Sequence, residues 1–385
     1  MSVDATPLVS VIIPTYNRAA LVPRAIESVL QQTFRNQEVI VVDDASTDET
    51  ARLLSGRYGS TIVYIRKEIN QGLAAARNTG IRAATGSLIA FLDDDDEWLP
   101  EKLELQVPII QRDPAIGLVY CGYTQVAEDG TIIRQTRPEK RGFILPDLLE
   151  DNYIAGSASA VLIKKEVLDN AGYFDETLTA CEDWDLWIRI ARQCPIAFAD
   201  HLLVTYTIHA DNMHKDLFRM EQNTARVLNK YRSLMVAKVC DHRFYRHYVS
   251  FAWQHYKAGN REEFRRLLYN ALDIEPVAND LFDYTGNIPE QDKIFFELLS
   301  DYWERPENRA KHALKRKSCA LQHLLLAWVY YQQDKMEDFR RHMGRAIKYS
   351  SARDSIRLLI PYLKSYFGKR ISDNLHELRK NIFSG

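Results

Sequence analysis

Cysteine is scarce in this chain, and its spacing fits neither a disulfide framework nor a metal ribbon. The five cysteines form an odd, scattered set without a C-x-x-C pair: Cys121, Cys181, Cys194, Cys240 and Cys319. This pattern argues against a disulfide-stapled secreted fold and against a zinc ribbon. We therefore expect reduced thiols and a reducing compartment.

Long hydrophobic runs are also lacking. No stretch reaches the roughly 18 apolar residues that a membrane span requires, and the nearest one, 321–331, is interrupted by Gln322 and His323. The N-terminus has no basic segment, and the apolar run 9–13 is too short for a signal peptide. We expect a cytoplasmic protein, or at most one bound peripherally at the inner face of the membrane.

The chain as a whole has no large excess of one charge, but its two parts carry opposite net charges. The net charge is -2, but residues 221–385 contain 29 Lys+Arg and 20 Asp+Glu, whereas residues 1–220 contain 21 and 32. Residues 1–220 thus have a net charge of -11, and residues 221–385 have a net charge of +9. The division suggests two modules with different partners.

The pattern of the chain predicts an α/β domain followed by an all-α domain. A length of 385 residues suits two or three domains. In the first part, short β-branched runs alternate with helical periodicity, which is the signature of a mainly parallel sheet covered by helices. The predicted strands are 8–13, 38–42, 61–65 and 88–92, and the predicted helices are 19–32, 47–58, with Ser46 or Thr47 as N-cap, and 72–84.

Polar and acidic residues follow the predicted strands, at the sheet edge where such folds bind ligands. These segments are 14–18, 43–46 and 93–98. The last contains five consecutive acids, 93–97, and so much negative charge beside a core requires a cation or hydrogen-bond donors. Mg²⁺ or Mn²⁺ suits carboxylate oxygens together with substrate phosphates, while an acidic turn without a ligand is the alternative.

Five ordered motifs resemble those of family 2 glycosyltransferases. The resemblance covers about residues 8–215 and implies a GT-A fold, with a nucleotide-sugar half at about 1–120 and an acceptor half at about 121–215. It implies inverting transfer of a sugar from a nucleotide diphosphate to an acceptor hydroxyl, in surface polysaccharide or glycan assembly. The motifs are 11–18 (VIIPTYNR), 41–48 (VVDDASTD), 70–80 (NQGLAAARNTG), 91–98 (FLDDDDEW) and 181–187 (CEDWDLW).

The resemblance assigns residues to the nucleotide. Pro14, Tyr16 and Asp44 are expected to line the base pocket, with the Asp44 carboxylate accepting a hydrogen bond from a pyrimidine N–H, so that UDP or dTDP is favoured. The neighbouring Asp43 is the alternative to Asp44 in the base pocket, and its other expected role is structural, as a cap of the next helix. Arg77 stands where the family uses a cation near the nucleotide, and a guanidinium suits a diphosphate or a base.

The acidic run is expected to hold the ribose and the metal. By resemblance Asp93 or Asp94 contacts the ribose, and Asp95 binds the metal that bridges the diphosphate; the repeated aspartates leave this register open. His209, at the end of the segment 206–209, lies where the family often places a histidine near the metal. A neutral imidazole can ligate Mn²⁺ together with Asp95.

The acceptor side is expected to supply a general base. Asp183 has this role by resemblance, Glu182 is the competing candidate, and simple capping of the predicted helix 184–192 is a third interpretation of the pair. Trp184 and, less so, Trp187 are candidates for an apolar wall against a sugar, although tryptophans at helical spacing often belong to the core.

The C-terminal region, predicted as a basic helical domain at 216–385, contains an internal repeat. The pattern at 252–271 recurs 75 positions later at 327–346, as expected for two similar helical hairpins, and it weakly resembles a tetratricopeptide unit. Basic residues at 309–317 and 340–348 suit a solvated face, an anionic membrane surface carrying a lipid-linked acceptor, a phosphate-bearing polymer, or another protein. No nucleic-acid recognition module is legible, and the sequence does not fix the oligomeric state.

Two other functions compete with sugar transfer. A nucleotidyltransferase of similar fold would usually carry a glycine-rich loop after the first strand, where this chain has Pro14-Thr15-Tyr16-Asn17. A non-catalytic sugar-nucleotide-binding scaffold would not need a base at residue 183.

Overall fold

A computed structural model of the chain describes residues 8–154, 158–209, 212–235, 237–274 and 302. The chain divides into two compact units, Met1–Val236 and Ala237–Gly385. Each unit is described by itself.

The first unit begins with alternating strands and helices, as the sequence predicts. Four parallel strands lie in the order β3-β2-β1-β4, which confirms the α/β prediction for this part. The elements are β1 (Val9–Thr15), α1 (Val22–Leu30), β2 (Gln37–Asp43), α2 (Thr50–Arg57), β3 (Val63–Arg66), α3 (Leu73–Ala83) and β4 (Leu88–Phe91).

The sheet then continues with strands of both directions. β8 is antiparallel to β4 and to β6, β6 runs parallel to β9, and β5 closes the order β4-β8-β6-β9-β5, while β7 pairs with β6. This half of the sheet is mixed because the chain reverses direction between several of its strands. The strands predicted from the sequence end at residue 92 and do not include this half. Its elements are β5 (Glu97–Trp98), α4 (Lys102–Arg112), β6 (Leu118–Ala127), β7 (Ile132–Thr136), α5 (Leu145–Glu150), β8 (Val161–Lys164), α6 (Lys165–Ala171), α7 (Glu182–Ala191), β9 (Ile196–Ile208) and α8 (Leu217–Lys230).

The central strands are buried on both faces, which explains their unbroken apolar sequence. All seven residues of β1 are buried. Gly80 lets α3 approach this strand, because a Cβ at residue 80 would lie 2.4 Å from the Cγ2 atom of Ile12. The close packing fixes α3, and with it Arg77 one turn earlier, against the sheet.

The predicted N-cap of α2 is wrong. The helix begins at Thr50, with Glu49 at the N-cap position and no side-chain capping hydrogen bond. Ser46 and Thr47 belong instead to the loop after β2, where both bond to Asn17 in the loop after β1. Ser46 and Thr47 therefore join the loops that follow β1 and β2, and they do not cap α2.

The first unit includes α8, which the division at residue 215 placed in the helical region. The buried carboxylate of Asp185 in α7 accepts a hydrogen bond from Tyr231 Oη and pairs with Lys230 Nζ, both at 2.8 Å. Asn223 in α8 also accepts the Thr179 N–H at 3.1 Å. These contacts join α8 to the α/β part.

The described part of the second unit is a helical hairpin of α9 (Ala237–Lys257) and α10 (Arg261–Ile274). Trp253 and Tyr256 of α9 place their rings 5.8 and 5.0 Å from that of Phe264 in α10. The helical character is therefore confirmed for the first copy of the repeat. The second copy at 327–346 and the basic segments 309–317 and 340–348 lie outside the described residues.

Among the residues that the structure describes, no helix is both long and apolar enough to cross a membrane.

Candidate active site

The loops that follow β1 and β2 are bonded to each other. Asn17, in the left-handed region with φ 53°, donates its N–H to Ser46 Oγ at 2.9 Å and accepts the Thr47 N–H at 2.7 Å through Oδ1. Asparagine tolerates this backbone conformation better than most residues. Of the two base-pocket residues predicted nearby, Pro14 is buried and Tyr16 is 43% exposed.

Asp44 is buried beside the start of α3. Its Oδ2 accepts the Gly72 N–H at 2.7 Å, both of its oxygens lie 3.1 Å from the Gln71 nitrogen, and Lys67 Nζ lies 2.7 Å from Oδ1. The carboxylate therefore anchors the backbone that leads into α3. A bond to a pyrimidine N–H stays a prediction and would add to these contacts.

Asp43 has a structural role, although it does not cap a helix. Its fully buried carboxylate accepts hydrogen bonds from the Ser46 N–H and from Tyr64 Oη, each at 2.7 Å. These bonds hold the loop after β2 on the neighbouring strand β3.

Each carboxylate of the acidic run 93–97 contacts a different element. Asp93 pairs with Arg77 of α3 at 2.6 Å, and Asp94 accepts a 2.6 Å hydrogen bond from the Thr15 hydroxyl at the end of β1. Burial, together with the neighbouring charge of Asp95, raises the pKa of Asp94 to about 7 despite that hydrogen bond. Asp94 is thus held at the sheet edge where the ribose is predicted.

The remaining three acids contact three other parts of the chain. Asp95 Oδ2 lies 2.7 Å from His209 Nε2, Asp96 is fully buried and accepts a 2.7 Å hydrogen bond from Ser159, and Glu97 pairs with Arg24 at 3.1 Å. The run is consequently a set of separately fixed side chains. This arrangement places the His209 imidazole against Asp95.

Asp95 and His209 have the donor chemistry for a divalent cation. A carboxylate oxygen and an imidazole nitrogen both suit Mn²⁺, and the His209 side chain is 9% exposed. Asn212 accepts the His209 N–H through Oδ1 at 2.5 Å, which fixes the residue after β9. Among the described residues no group of three or more His, Cys, Asp or Glu could hold a metal ion.

Arg77 connects the two acidic motifs. Its guanidinium is buried, with Nη2 2.6 Å from Asp93 and Nη1 2.6 Å from Glu182, and it lies 5.2 Å from the ring centroid of Phe174. Burial by itself would lower the pKa of Arg77, but the two carboxylates raise it above its ordinary value. The predicted proximity to a nucleotide stays a prediction; the observed partners are the acids of both halves.

The Glu182-Asp183 pair forms the first two residues of α7, which begins two residues earlier than the predicted helix. Cys181 precedes it with a left-handed φ of 59°. Glu182 is 4% exposed and engaged by Arg77, whereas Asp183 is half-buried. Burial and then the charge of Glu182 raise the pKa of Asp183 to about 7, against the opposing influence of Arg77. The two adjacent carboxylates are therefore in different electrostatic situations.

The tryptophans of α7 belong largely to the core. Trp187 is fully buried, with its ring 6.5 Å from that of Phe174, so it is not available as a sugar-binding wall. Trp184 is 4% exposed and donates its Nε1–H to the Leu148 carbonyl at 2.7 Å.

Sequence reasoning missed three residues that support the acidic run. Ser159 donates to Asp96 and accepts the Asp93 N–H at 3.0 Å; Thr15 bonds Asp94; and Arg24 pairs with Glu97. Thr15 lies inside a motif and could have been found by its position at a strand end. Ser159 and Arg24 lie in segments without a motif, 66 and 71 positions from their backbone partners in the run.

Comparison with known proteins agrees with the geometry. Residues 10–172 match the family model described as glycosyl transferase family 2. An uncharacterized glycosyltransferase of Rickettsia prowazekii is 37% identical over 212 residues, which is 53% of this chain and 65% of that protein. The UDP-Glc:alpha-D-GlcNAc-diphosphoundecaprenol beta-1,3-glucosyltransferase WfgD of Escherichia coli is 34% identical over 185 residues, 48% of this chain and 70% of the relative.

The match does not extend over whole relatives. The chain spans 65%, 36% and 35% of the lengths of three rickettsial glycosyltransferases. Among solved structures, a mannosyltransferase from Pyrobaculum calidifontis in complex with GDP-Man and Mn²⁺ shares the fold, with a TM-score of 0.50, 20% identity, and coverage of 86% of this chain and 89% of that one. With its ordered motifs on a GT-A fold, the chain belongs to glycosyl transferase family 2.

Proposed function

We propose that this chain is a metal-dependent inverting glycosyltransferase that moves a sugar from a nucleoside diphosphate, with UDP or dTDP favoured, to an acceptor hydroxyl. The observation that carries the proposal is the division of the acids around Arg77. On one side lie Asp93, Asp94 and the Asp95–His209 pair, and on the other lies Asp183 with its raised pKa. A donor site and a base are both needed for inverting transfer.

The donor side supports a cation and a diphosphate. Asp95 and His209 would hold Mg²⁺ or Mn²⁺, and the P. calidifontis relative, whose fold the chain shares, was solved with GDP-Man and Mn²⁺. When bound, the ion would act as a Lewis acid that stabilises the charge developing on the leaving diphosphate. Thr15 holds Asp94 at the same edge, and this contact supports the proposal that Asp94 binds the ribose hydroxyls.

The acceptor side supports Asp183 as general base. Glu182 is engaged by Arg77, so Asp183 is the carboxylate of the pair without a cation within ion-pair distance among the described residues. In the proposed reaction, Asp183 takes the proton of the acceptor hydroxyl, the acceptor oxygen bonds to the anomeric carbon, and the bond from that carbon to the diphosphate oxygen breaks. A base with a pKa near neutrality is suited to this proton transfer.

The proposed acceptor is a glycan or a lipid-linked sugar in surface polysaccharide assembly. The E. coli relative is named for transfer to a GlcNAc carried on diphosphoundecaprenol. Contact with an anionic membrane surface through the C-terminal region remains a prediction from the +9 of residues 221–385, most of which lie outside the described residues.

Sugar-nucleotide screening tests the proposed donor chemistry. We expect one or a few of a panel of UDP-, dTDP- and GDP-sugars to raise the melting temperature of the full chain, and only in the presence of Mn²⁺ or Mg²⁺. At a ligand concentration of 100 Kd, the stabilisation should be about 2.7 kcal/mol. His209→Gln should remove the metal-dependent part, whereas His201→Gln, an exposed histidine on β9, should not. Equal stabilisation with and without metal would contradict the proposal.

Replacement of the base should separate chemistry from binding. Asp183→Asn keeps the size of the side chain but cannot accept the proton, so we expect the transfer rate to fall by about 10²–10⁴ while the donor still binds. Transfer is measured by release of the nucleoside diphosphate, and donor binding by calorimetry. Asp200→Asn, at an exposed ion pair with Arg137, is the control. Full activity of Asp183→Asn would refute the assignment of the base.

The pH dependence follows from the raised pKa of Asp183. Because only the ionised carboxylate accepts a proton, we expect kcat/KM for the acceptor to decrease below a pH of about 7, approaching about tenfold per pH unit. The rate at subsaturating acceptor, measured between pH about 5.5 and 9, should show this decrease on its acid side, where the pKa of Asp94, also raised to about 7, lies as well. A rate that stays constant down to pH about 5.5 would contradict the prediction.

A further inference from the structure

Arg24 contacts both chain segments that carry the proposed metal ligands. It lies near the start of α1, and its side chain is 41% exposed. Its Nη2 donates to the main-chain oxygen of Asp95 at 3.1 Å and to Thr207 Oγ1 at 3.2 Å, and its Nε lies 3.1 Å from Glu97 Oε1. One guanidinium therefore joins α1, the acidic run and β9.

A short backbone pairing also joins these two segments. Asp95 and His209 are 114 positions apart in the chain. β5 pairs with β9 through Glu97 with Thr205 and Trp98 with Val204. The bonds of Arg24 lie closer to Asp95 and His209 than this pairing does.

Arg24 is suited to this role by the shape of its side chain. Its planar fork makes several hydrogen bonds in fixed directions, which a lysine ammonium on a flexible stem does not reproduce. Its positive charge pairs with Glu97 and by itself repels a nearby cation, so any gain in metal affinity comes from positioning. A guanidinium has no lone pair for a metal, so any influence on the ion is indirect.

We propose that Arg24 is a positioning residue that holds Asp95 and His209 at the separation needed to share a divalent cation. The inference rests on the proposed function, because it takes these two side chains as the metal ligands. Arg24 acts on Asp95 through its main-chain oxygen and on His209 through Thr207, two residues earlier in the chain. Residues that orient metal ligands commonly contribute about 10- to 100-fold to metal affinity.

The test measures Mn²⁺ binding directly. The full chain is titrated with MnCl₂ alone, and free Mn²⁺ is followed by its electron paramagnetic resonance signal. We expect Arg24→Met to raise the apparent Kd for Mn²⁺ by about 10-fold or more, and Arg24→Lys, which keeps the charge but loses the fork, to raise it at least as much. Arg57→Met is the matched control, since it removes another arginine that pairs with a glutamate, Glu27 of α1, at 3.0 Å. The control should leave the Kd unchanged.

A second measurement detects the positioning without metal. Amide hydrogen exchange at residues 94–98 and 204–209 should be faster in Arg24→Met than in Arg57→Met, while exchange in the core strand β1 should be the same in both. Equal exchange at 94–98 and 204–209 in the two variants would overturn the inference.

One further variant separates failure of the inference from failure of the proposed function. Asp95→Asn should weaken Mn²⁺ binding more than Arg24→Met does. If Asp95→Asn weakens binding and Arg24→Met stays within twofold of the unmodified chain, the positioning role is wrong and the metal site stands. If Asp95→Asn has no effect on Mn²⁺ binding, the metal assignment fails and the inference fails with it.

Discussion

A buried ion-pair triad, Arg77 between Asp93 and Glu182, is the constraint on which the site depends. It joins α3, the end of the central strand β4 and the start of α7 with two contacts of 2.6 Å. Burying charges is costly, and removal of one partner from such a group leaves the others uncompensated. The aromatic face of Phe174 lies beside the guanidinium and adds a favourable contact. The acids of the motifs at 91–98 and 181–187 are thereby held together around the guanidinium of Arg77.

The triad also differentiates neighbouring carboxylates. Glu182 pairs with Arg77, while burial, together with the negative charge of Glu182, raises the pKa of the adjacent Asp183. On the other side Asp93 is taken by Arg77, while Asp94 and Asp95 face Thr15 and His209. Adjacent carboxylates therefore lie in different environments, because each of them has a different partner.

Much of this was predictable from the sequence. The alternation of β-branched runs with helical periodicity correctly predicts the first four strands and three helices, and the strand-end position of the acidic run places it at the ligand-binding edge. The ordered motifs identify the family and therefore the fold. The second half of the sheet was not predicted, because its mixed pairings join strands far apart in the chain, such as β8 with β4 and β6.

The contacts that give each acid its own partner could not be predicted either, because they also join residues far apart in the chain. Asp95 and His209 were paired only through the resemblance, and Ser159 and Arg24 carry no local pattern that marks them. Arg77 was expected near the nucleotide, and no sequence rule connects it with Glu182, 105 positions away. Burial likewise decides between a sugar wall and a core position for Trp187, and periodicity alone leaves that choice open.

The most direct test of this account is a double-mutant cycle between Arg77 and Glu182, read by native-state hydrogen exchange of the α3 and α7 amides. Arg77→Met alone should lower the free energy of opening by about 3–5 kcal/mol, because two buried carboxylates lose their cation. Adding Glu182→Gln should restore part of this loss, with a coupling energy of about 1–3 kcal/mol. Effects that add to within about 0.5 kcal/mol would contradict the claim that this triad holds the two acidic motifs in one site.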